Sequence, residues 1–526
     1  MKYSLSIHHL NGLCRLAIVL SISIFSLVSV ASSSVSAGST KTMQAGVFPC
    51  ISTDGTYHSF KYPGITSGLP CNVDTQAVAK AKTLAQQQRY FDIYSWQTFI
   101  ALFWPTEKAG HRLAPDLNRK GIPRWNYWKE SYQVYLADGS QPKGWNTPYI
   151  PAGVCKNQSE VDMSRKLLYR TNKMNLTHHV TVANEVEQAF TYPLVDQSGN
   201  VVRYEVLMNY DEFNYLLNNQ LYNIDGQVAF AKGGKSVSFP KGDNDGLITG
   251  AFELKLAWKV LTDNDPTERY YSFEAVVLEK DGNCREVDVG LVGMHISHKT
   301  QNNKQWIWST FEQVDNVRTN GLDQVKLRNG KKAPLVPSFN DPSCPSCPVN
   351  QLASYNAKGR QMPTQTTRVI PIDKNTEELN RQVQKMLTKH HSVFQYYELV
   401  GTQWPTDESA LPANPNQYNA PNDRALEQID NKPGGNPFPV FLINTTMETY
   451  MQRGNQEAQL QIQGFPFNQT PSFGTESCMG CHYSAGIYVD VIEDGYGQKQ
   501  PVAGPATSGD FSWLLQLKAQ FQTTQP

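Results

Sequence analysis

Phe252-Glu253-Leu254-Lys255-Leu256-Ala257-Trp258-Lys259-Val260 sets an apolar side chain at every second position, with Glu253, Lys255 and Lys259 in between. Successive side chains of a strand point to opposite sides, so this period describes a strand with one face in a core and one toward water. The style continues in Tyr270 to Leu278, Val287 to Lys299 and Gln305 to Val314. Turn-forming stretches separate the runs: Thr262-Asp263-Asn264-Asp265-Pro266, Asp281-Gly282-Asn283 and Gln301-Asn302-Asn303. Residues 195–318 therefore read as an antiparallel sheet, a meander or one half of a sandwich.

Outward from the sheet the period lengthens. From Asp74 to about Phe103 the pattern is helical, with Ile93, Trp96, Ile100 and Phe103 on one face and Trp104-Pro105 as the stop. A second, aromatic helix is expected from Arg124 to Leu136. After a Pro-rich stretch at 333–348 comes a helix from about Thr376 to His391. A Pro- and Asn-rich wrap then covers roughly 405–439. Thr445-Thr446-Met447-Glu448 has the form of a capping box opening a short helix. Ser508-Gly509-Asp510 precedes an apolar terminal helix that begins near Phe511. The expected class is α+β: a helical and loop region at 38–194, an antiparallel β region at 195–332, and a C-terminal region at 333–526.

Charged residues make up 18% of the 526, 47 of each sign, while aromatics reach 11%. Such a chain has material for a core and is not intrinsically disordered. It has no basic stripe for phosphate, which argues against a nucleic-acid partner. Lys2 and Arg15 flank an apolar run from Leu16 to Ala31, and Val35-Ser36-Ala37 follows. That is the layout of a secretory signal at 1–37 cleaved near Ala37, with Ser29-Val30-Ala31 as a second cleavage point. The run is shorter than the ~20 residues of a membrane span, and no later segment is long and apolar enough. The expectation is a periplasmic chain with no transmembrane anchor after signal cleavage. Export permits disulfides, and Cys50, Cys71, Cys155, Cys284, Cys344 and Cys347 leave their connectivity open. Cys344-Pro345-Ser346-Cys347 lies in a Pro-rich loop and suits a structural disulfide better than a redox pair.

Cys478-Met479-Gly480-Cys481-His482 carries the chemistry. Two thiols three positions apart can each form a thioether with one vinyl group of a single porphyrin, and the adjacent imidazole then reaches the iron. On this motif and the export signal the chain resembles the exported bacterial c-type cytochromes. Ser95-Trp96-Gln97-Thr98-Phe99-Ile100-Ala101-Leu102, Trp306-Ile307-Trp308-Ser309-Thr310-Phe311-Glu312 and Asn444-Thr445-Thr446-Met447-Glu448-Thr449-Tyr450 are similar to a large, poorly characterised monohaem group within them. The resemblance implies one covalent haem c per chain, held by Cys478 and Cys481, with His482 as the proximal iron ligand.

Only residues 483–526 follow the motif, and they contain neither His nor Met. A second axial ligand must therefore come from upstream, or the position is open. Met447 and Met451, four apart on the expected short helix, share a face and offer thioethers. His295 and His298 alternate across a strand, so one of them can face a haem; His298 is carried as the further distal candidate. His390 and His391 sit at a helix C-terminus, while His178, His179, His58 and His111 have no informative context. Glu312 reads as a strand-end carboxylate and Glu448 as a cap, each able to move protons if it lines a haem pocket. Asp243-Asn244-Asp245-Gly246 lacks the Glu of a calcium loop at its twelfth position and reads as a turn.

Three functions are compatible with these residues. The first is haem binding and electron transfer to a redox partner protein. The second is a haem-dependent oxidoreductase, of oxygenase or peroxidase type, with an open distal site and a small-molecule substrate. The third is a non-enzymatic haem sensor or scaffold. They differ in iron coordination and turnover.

Overall fold

The structure, a computed structural model, describes residues 47–49, 66–107, 112–169, 193–318, 324–351, 354–357, 361–412, 431, 433–452, 461–462, 465–466 and 477–523. The run at 252–260 is the strand expected, and nine strands form its sheet. In chain order they are β1 (Lys129–Glu130), β2 (Lys166–Leu168), β3 (Arg203–Met208), β4 (Phe252–Val260), β5 (Ser272–Leu278), β6 (Cys284–Thr300), β7 (Asn303–Gln313), β8 (Tyr397–Pro405) and β9 (Pro437–Phe438). The spatial order is β9-β8-β7-β6-β4-β3-β1, with β5 on the first half of β6 and β2 beside β5. Every pairing is antiparallel except β5 with β2. Among the described residues there are also seven α-helices: α1 (Thr75–Lys80), α2 (Leu84–Phe103), α3 (Tyr210–Asn218), α4 (Ile224–Lys232), α5 (Lys374–Lys389), α6 (Cys478–His482) and α7 (Leu514–Lys518). The class is α+β.

The three regions drawn from the sequence divide the chain but not the fold. β8, from the C-terminal region, pairs along β7 from Trp308↔Gln403 to Gln313↔Tyr397. The described residues lie within one compact unit, Thr42–Pro526.

One sheet face is apolar. Leu254, Leu256 and Trp258 of β4, Met294 and Ile296 of β6, Phe311 of β7 and Leu399 of β8 pack with Trp96, Phe99 and Phe103 of α2 and with Leu379, Val383 and Leu387 of α5. Thr83 caps α2 by accepting from Gln86 N, and Asp74 caps α1 by accepting from Ala77 N. The expected single helix is thus two, each opened by its own cap. Pro105 holds Trp104 in an extended conformation and ends α2. Trp96 Nε1 donates to Asn380 Oδ1 at 2.9 Å and pins α2 to α5.

The other face is not the solvated side of a half-buried strand. Glu253 and Lys259 are 2% and 3% exposed. Over this face pack α3, α4 and the chain after residue 477, through Phe213, Leu216, Ile224, Phe230, Met479 and Leu515 against Val206, Met208 and Trp308. Helices therefore cover the sheet on both sides, which is not the sheet-on-sheet stack of a sandwich. α3 and α4 fall inside the stretch expected to be all strand. Their signals are Asn209 and Asn223, which cap by accepting from Glu212 N and Gly226 N.

Three further expectations change. Arg124–Leu136 forms two 3-10 turns, Arg124–Tyr127 and Ser131–Gln133, because Lys129–Glu130 between them pairs with β3. The terminal helix is the five-residue α7 with no side-chain cap, since Asp510 is engaged elsewhere. The helix expected at Thr445 is a turn leading into a 3-10 segment, Thr449–Met451. α5 matches the expected helix, and His390 is its C-cap.

Cys155 is bonded to Cys284 and Cys344 to Cys347, and Cys71 is also disulfide-bonded. Cys50 and the 1–37 segment lie outside the described residues. No helix among the described residues is long and apolar enough to cross a membrane.

Candidate cofactor attachment site

α6 forms because each end of a short segment is tied down. Ser477 caps it, accepting from Gly480 N at 3.1 Å. Gln403, on the polar face of β8, accepts from Met479 N at 2.7 Å and donates to Ser477 Oγ at 3.0 Å. At the far end Trp513 Nε1 donates to Cys481 O at 3.2 Å. The helix is thereby held over β7 and β8.

Cys478 and Cys481 lie on one side of α6, half-buried and outside any disulfide. Cys478 packs beside Ile372, Val400 and Leu442. His482 is 8% exposed, and its Nδ1 lies 2.7 Å from Phe511 O. A carbonyl only accepts, so Nδ1 carries the proton and Nε2 keeps its lone pair. Nε2 faces Lys255 Nζ of β4 at 3.4 Å. The Trp308 ring lies 4.4 Å from the imidazole, centroid to centroid, and limits its rotation.

The carbonyl that orients His482 comes from a strained turn. Asp510 and Phe511 have φ of +49° and +69°, a region that L side chains seldom adopt. Such strain persists where neighbours over-determine it. Lys299 Nζ donates to Asp510 Oδ1 at 2.5 Å, Phe239 N to Asp510 Oδ2 at 2.8 Å, and Trp306 Nε1 to Asp510 O at 2.9 Å. Burial raises the Asp510 carboxyl, and Lys299 works against that shift.

Beside α6 the sheet face stays polar. Lys255 pairs across strands with His295 of β6, and His295 with Thr310 of β7, so the three share a side. His295 Nε2 is 3.1 Å from Glu448 Oε1, while Glu448 Oε2 accepts from Asn444 N at 2.8 Å. Glu448 is a cap, as expected, but for Asn444 rather than Thr445. Thr445 instead gives its N–H and hydroxyl to Glu312, each at 2.6 Å. Glu312 is 1% exposed and ion-paired with Arg368 at 2.7 Å, so it is not a surface residue.

A buried carboxyl pair completes this face. A Glu at the third helical position usually reaches back to its own cap. Here the Asn209 N–H already serves Phe252 O, and Glu212 is buried close enough to Glu253 to feel its charge. Burial, then the charge of Glu253, holds Glu212 well above the usual carboxyl range. Glu253 is raised by burial and eased by the positive charge of Lys255.

The distal candidates from the sequence are dispersed. His298 lies on the apolar face, stacked on Phe252 at 3.6 Å. Its Nδ1 accepts from Tyr94 OH and its Nε2 donates to Thr249 O at 2.7 Å. Burial pushes it down to about 3. It is a neutral core histidine on the side of the sheet away from His482. Met447 packs with Leu194, Val202, Tyr204 and Phe339, and Met451 is 1% exposed on the 3-10 segment, so the two do not share one helix face. His178, His179, His58 and His111 lie outside the described residues. Sequence reasoning passed over Lys255, Gln403, Trp308 and Phe511. Their signal was weak: Lys255 and Trp308 belonged to runs read for their strand pattern, with the side of Lys255 assigned to water, Phe511 was read as the start of a helix, and Gln403 fell between expected elements.

Among the described residues no three His, Cys, Asp or Glu side chains converge to chelate an ion. Two thiols and one oriented imidazole instead fit a group that brings its own equatorial ligands and needs covalent anchoring, as haem c does. A separate cleft of about 570 Å³ at the Val260 end of β4, lined by Asn200, Arg203, Glu279 and Arg285 among others, holds none of the candidate haem-site residues. Comparison with protein-family models, with curated proteins and with solved structures gives no match.

Proposed function

We propose that this chain is an exported, periplasmic monohaem c-type cytochrome that binds one haem c and transfers electrons to a redox partner. Thioethers from Cys478 and Cys481 would hold the haem, with His482 as its proximal ligand. The observation that carries this reading is the state of α6: two thiols outside any disulfide, and a histidine whose Nδ1–H is committed to Phe511 O. The group itself supplies one-electron exchange at iron. The chain's own residues do the rest. Phe511 fixes the imidazole tautomer, and a hydrogen bond at that nitrogen makes the other a better donor. Trp308 keeps the ring from turning. Ile372, Val400 and Leu442 give the Cys478 edge an apolar, water-poor setting.

A haem-dependent oxidoreductase is the second reading, favoured by the His295–Glu448 contact on the same sheet face, an arrangement that can hold and move a proton. Enzymatic turnover of peroxide or oxygen separates it from a carrier.

The test is a haem stain after denaturing electrophoresis of protein exported from a host with haem-attachment machinery. The wild-type band should stain and the Cys478→Ser, Cys481→Ser double variant should not. A wild-type band that lacks haem, or a double variant that keeps it, overturns the reading.

A further inference from the structure

We propose that Lys255 is the second axial ligand of the haem iron, opposite His482. The inference rests on the haem reading above and names a residue that the CxxCH motif does not reach. Lys255 Nζ stands 3.4 Å from His482 Nε2, on the side where the imidazole keeps its lone pair. Two nitrogens that bind one metal from opposite sides lie roughly 4 Å apart, because each bond is about 2 Å long. A small rotation in the flexible lysine stem supplies the difference.

Both partners are aimed by structure remote from the motif. His482 is fixed by Phe511 O and Trp308. Lys255 springs from a central strand, flanked by Val206 of β3 and His295 of β6. An ammonium set against an imidazole lone pair occupies the ground a metal cation takes. To hold the iron, Nζ would release one proton to solvent and offer its lone pair, with no change of oxidation state. The other candidates are worse placed. His298 is on the opposite face, Met447 sits in an apolar cluster, and His295 is turned to Glu448.

Ferric absorption and electron paramagnetic resonance spectra of the exported holoprotein test this, for wild type, Lys255→Met, Lys255→Arg and His295→Ala. Arg keeps the charge but does not lose its proton, so it offers no lone pair. Wild type should be low-spin and six-coordinate. Both Lys255 variants should keep their covalent haem and turn high-spin, and His295→Ala should stay low-spin. In the reduced wild type, labelled lysine should show one side chain whose methylene protons are shifted far upfield by the porphyrin ring current, a readout that stands even if the variants fold poorly. A wild type that is high-spin, Lys255 variants that stay low-spin, or a low-spin state lost in His295→Ala alone overturns the proposal. Absence of covalent haem on the gel is a separate result and removes the parent reading first.

Discussion

On one side of the sheet Leu254, Leu256 and Trp258 meet α2 and α5 in an apolar cluster, with a short polar seam where Ser95 and Asp92 meet Thr402 of β8 and Asp92 also meets Thr376. On the other, Glu253, Lys255 and Lys259 of the same strand meet carboxyls and an imidazole. Both sides are covered, so exposure does not distinguish them. Specificity does. An apolar face keeps its free energy when similar volumes are exchanged, whereas each polar group on the other face depends on one partner and is costly when that partner goes. The face that packs the apolar core and the face that carries the paired polar groups are therefore two sides of the same strands.

The largest effect should come from the apolar side. Phe99 is fully buried among Trp96, Phe103, Phe311, Phe394 and Tyr397. Phe99→Ala should cost about 3–5 kcal/mol in urea unfolding, while the visible spectrum of the proposed holoprotein should stay unchanged. A shifted spectrum would mean that the two faces are not independent.

A smaller effect, opposite in sign, is expected on the polar side. A raised Glu212 favours the folded state while it is protonated. That contribution is complete below the unfolded carboxyl value of about 4.3, and it is lost as pH rises from there through the folded value. Wild type should be less stable at pH 8 than at pH 5. Glu212→Gln should flatten the slope and gain about 2 kcal/mol at pH 8, where the amide puts no second negative charge beside Glu253. Parallel urea titrations at the two pH values decide this, and a slope as steep in the variant as in wild type contradicts a raised Glu212.

The smallest effect concerns the histidine on the apolar side. Tyr94→Phe removes the hydroxyl donated to His298 Nδ1. It should cost about 1 kcal/mol and leave the visible spectrum of the proposed holoprotein as in wild type. A spectral change would return His298 to the site.

Much of this fold was legible because a two-residue period and turn residues act locally. β4 through β7 lie where the alternation put them, and α5 runs within two residues of its expected bounds at each end. α3 and α4 were missed because nine-residue helices inside a strand-rich stretch leave little periodicity, although Asn209 and Asn223 marked both starts. The polar face could not be read, since what covers Lys255 comes from α6 and the Asp510–Phe511 turn. Alternation says which side chains share a face but not what lies over it, so His295 and His298 could not be told apart. The spacing of Cys478, Cys481 and His482 was legible as a motif. Their anchoring by Gln403, Trp308 and Phe511 was not.

Lys255 and His482 are separated by 227 positions, and that distance has a kinetic meaning. Contacts between distant residues form late, because a long loop must close before they yield any gain. A chain halted before Ser477 has β4, β7 and β8 complete, yet nothing from α6 to lay on Gln403 and Trp308. The thiols of α6 are most reachable in the interval before that docking. Whatever is to be joined to them has its best opportunity while the rest of the sheet already stands.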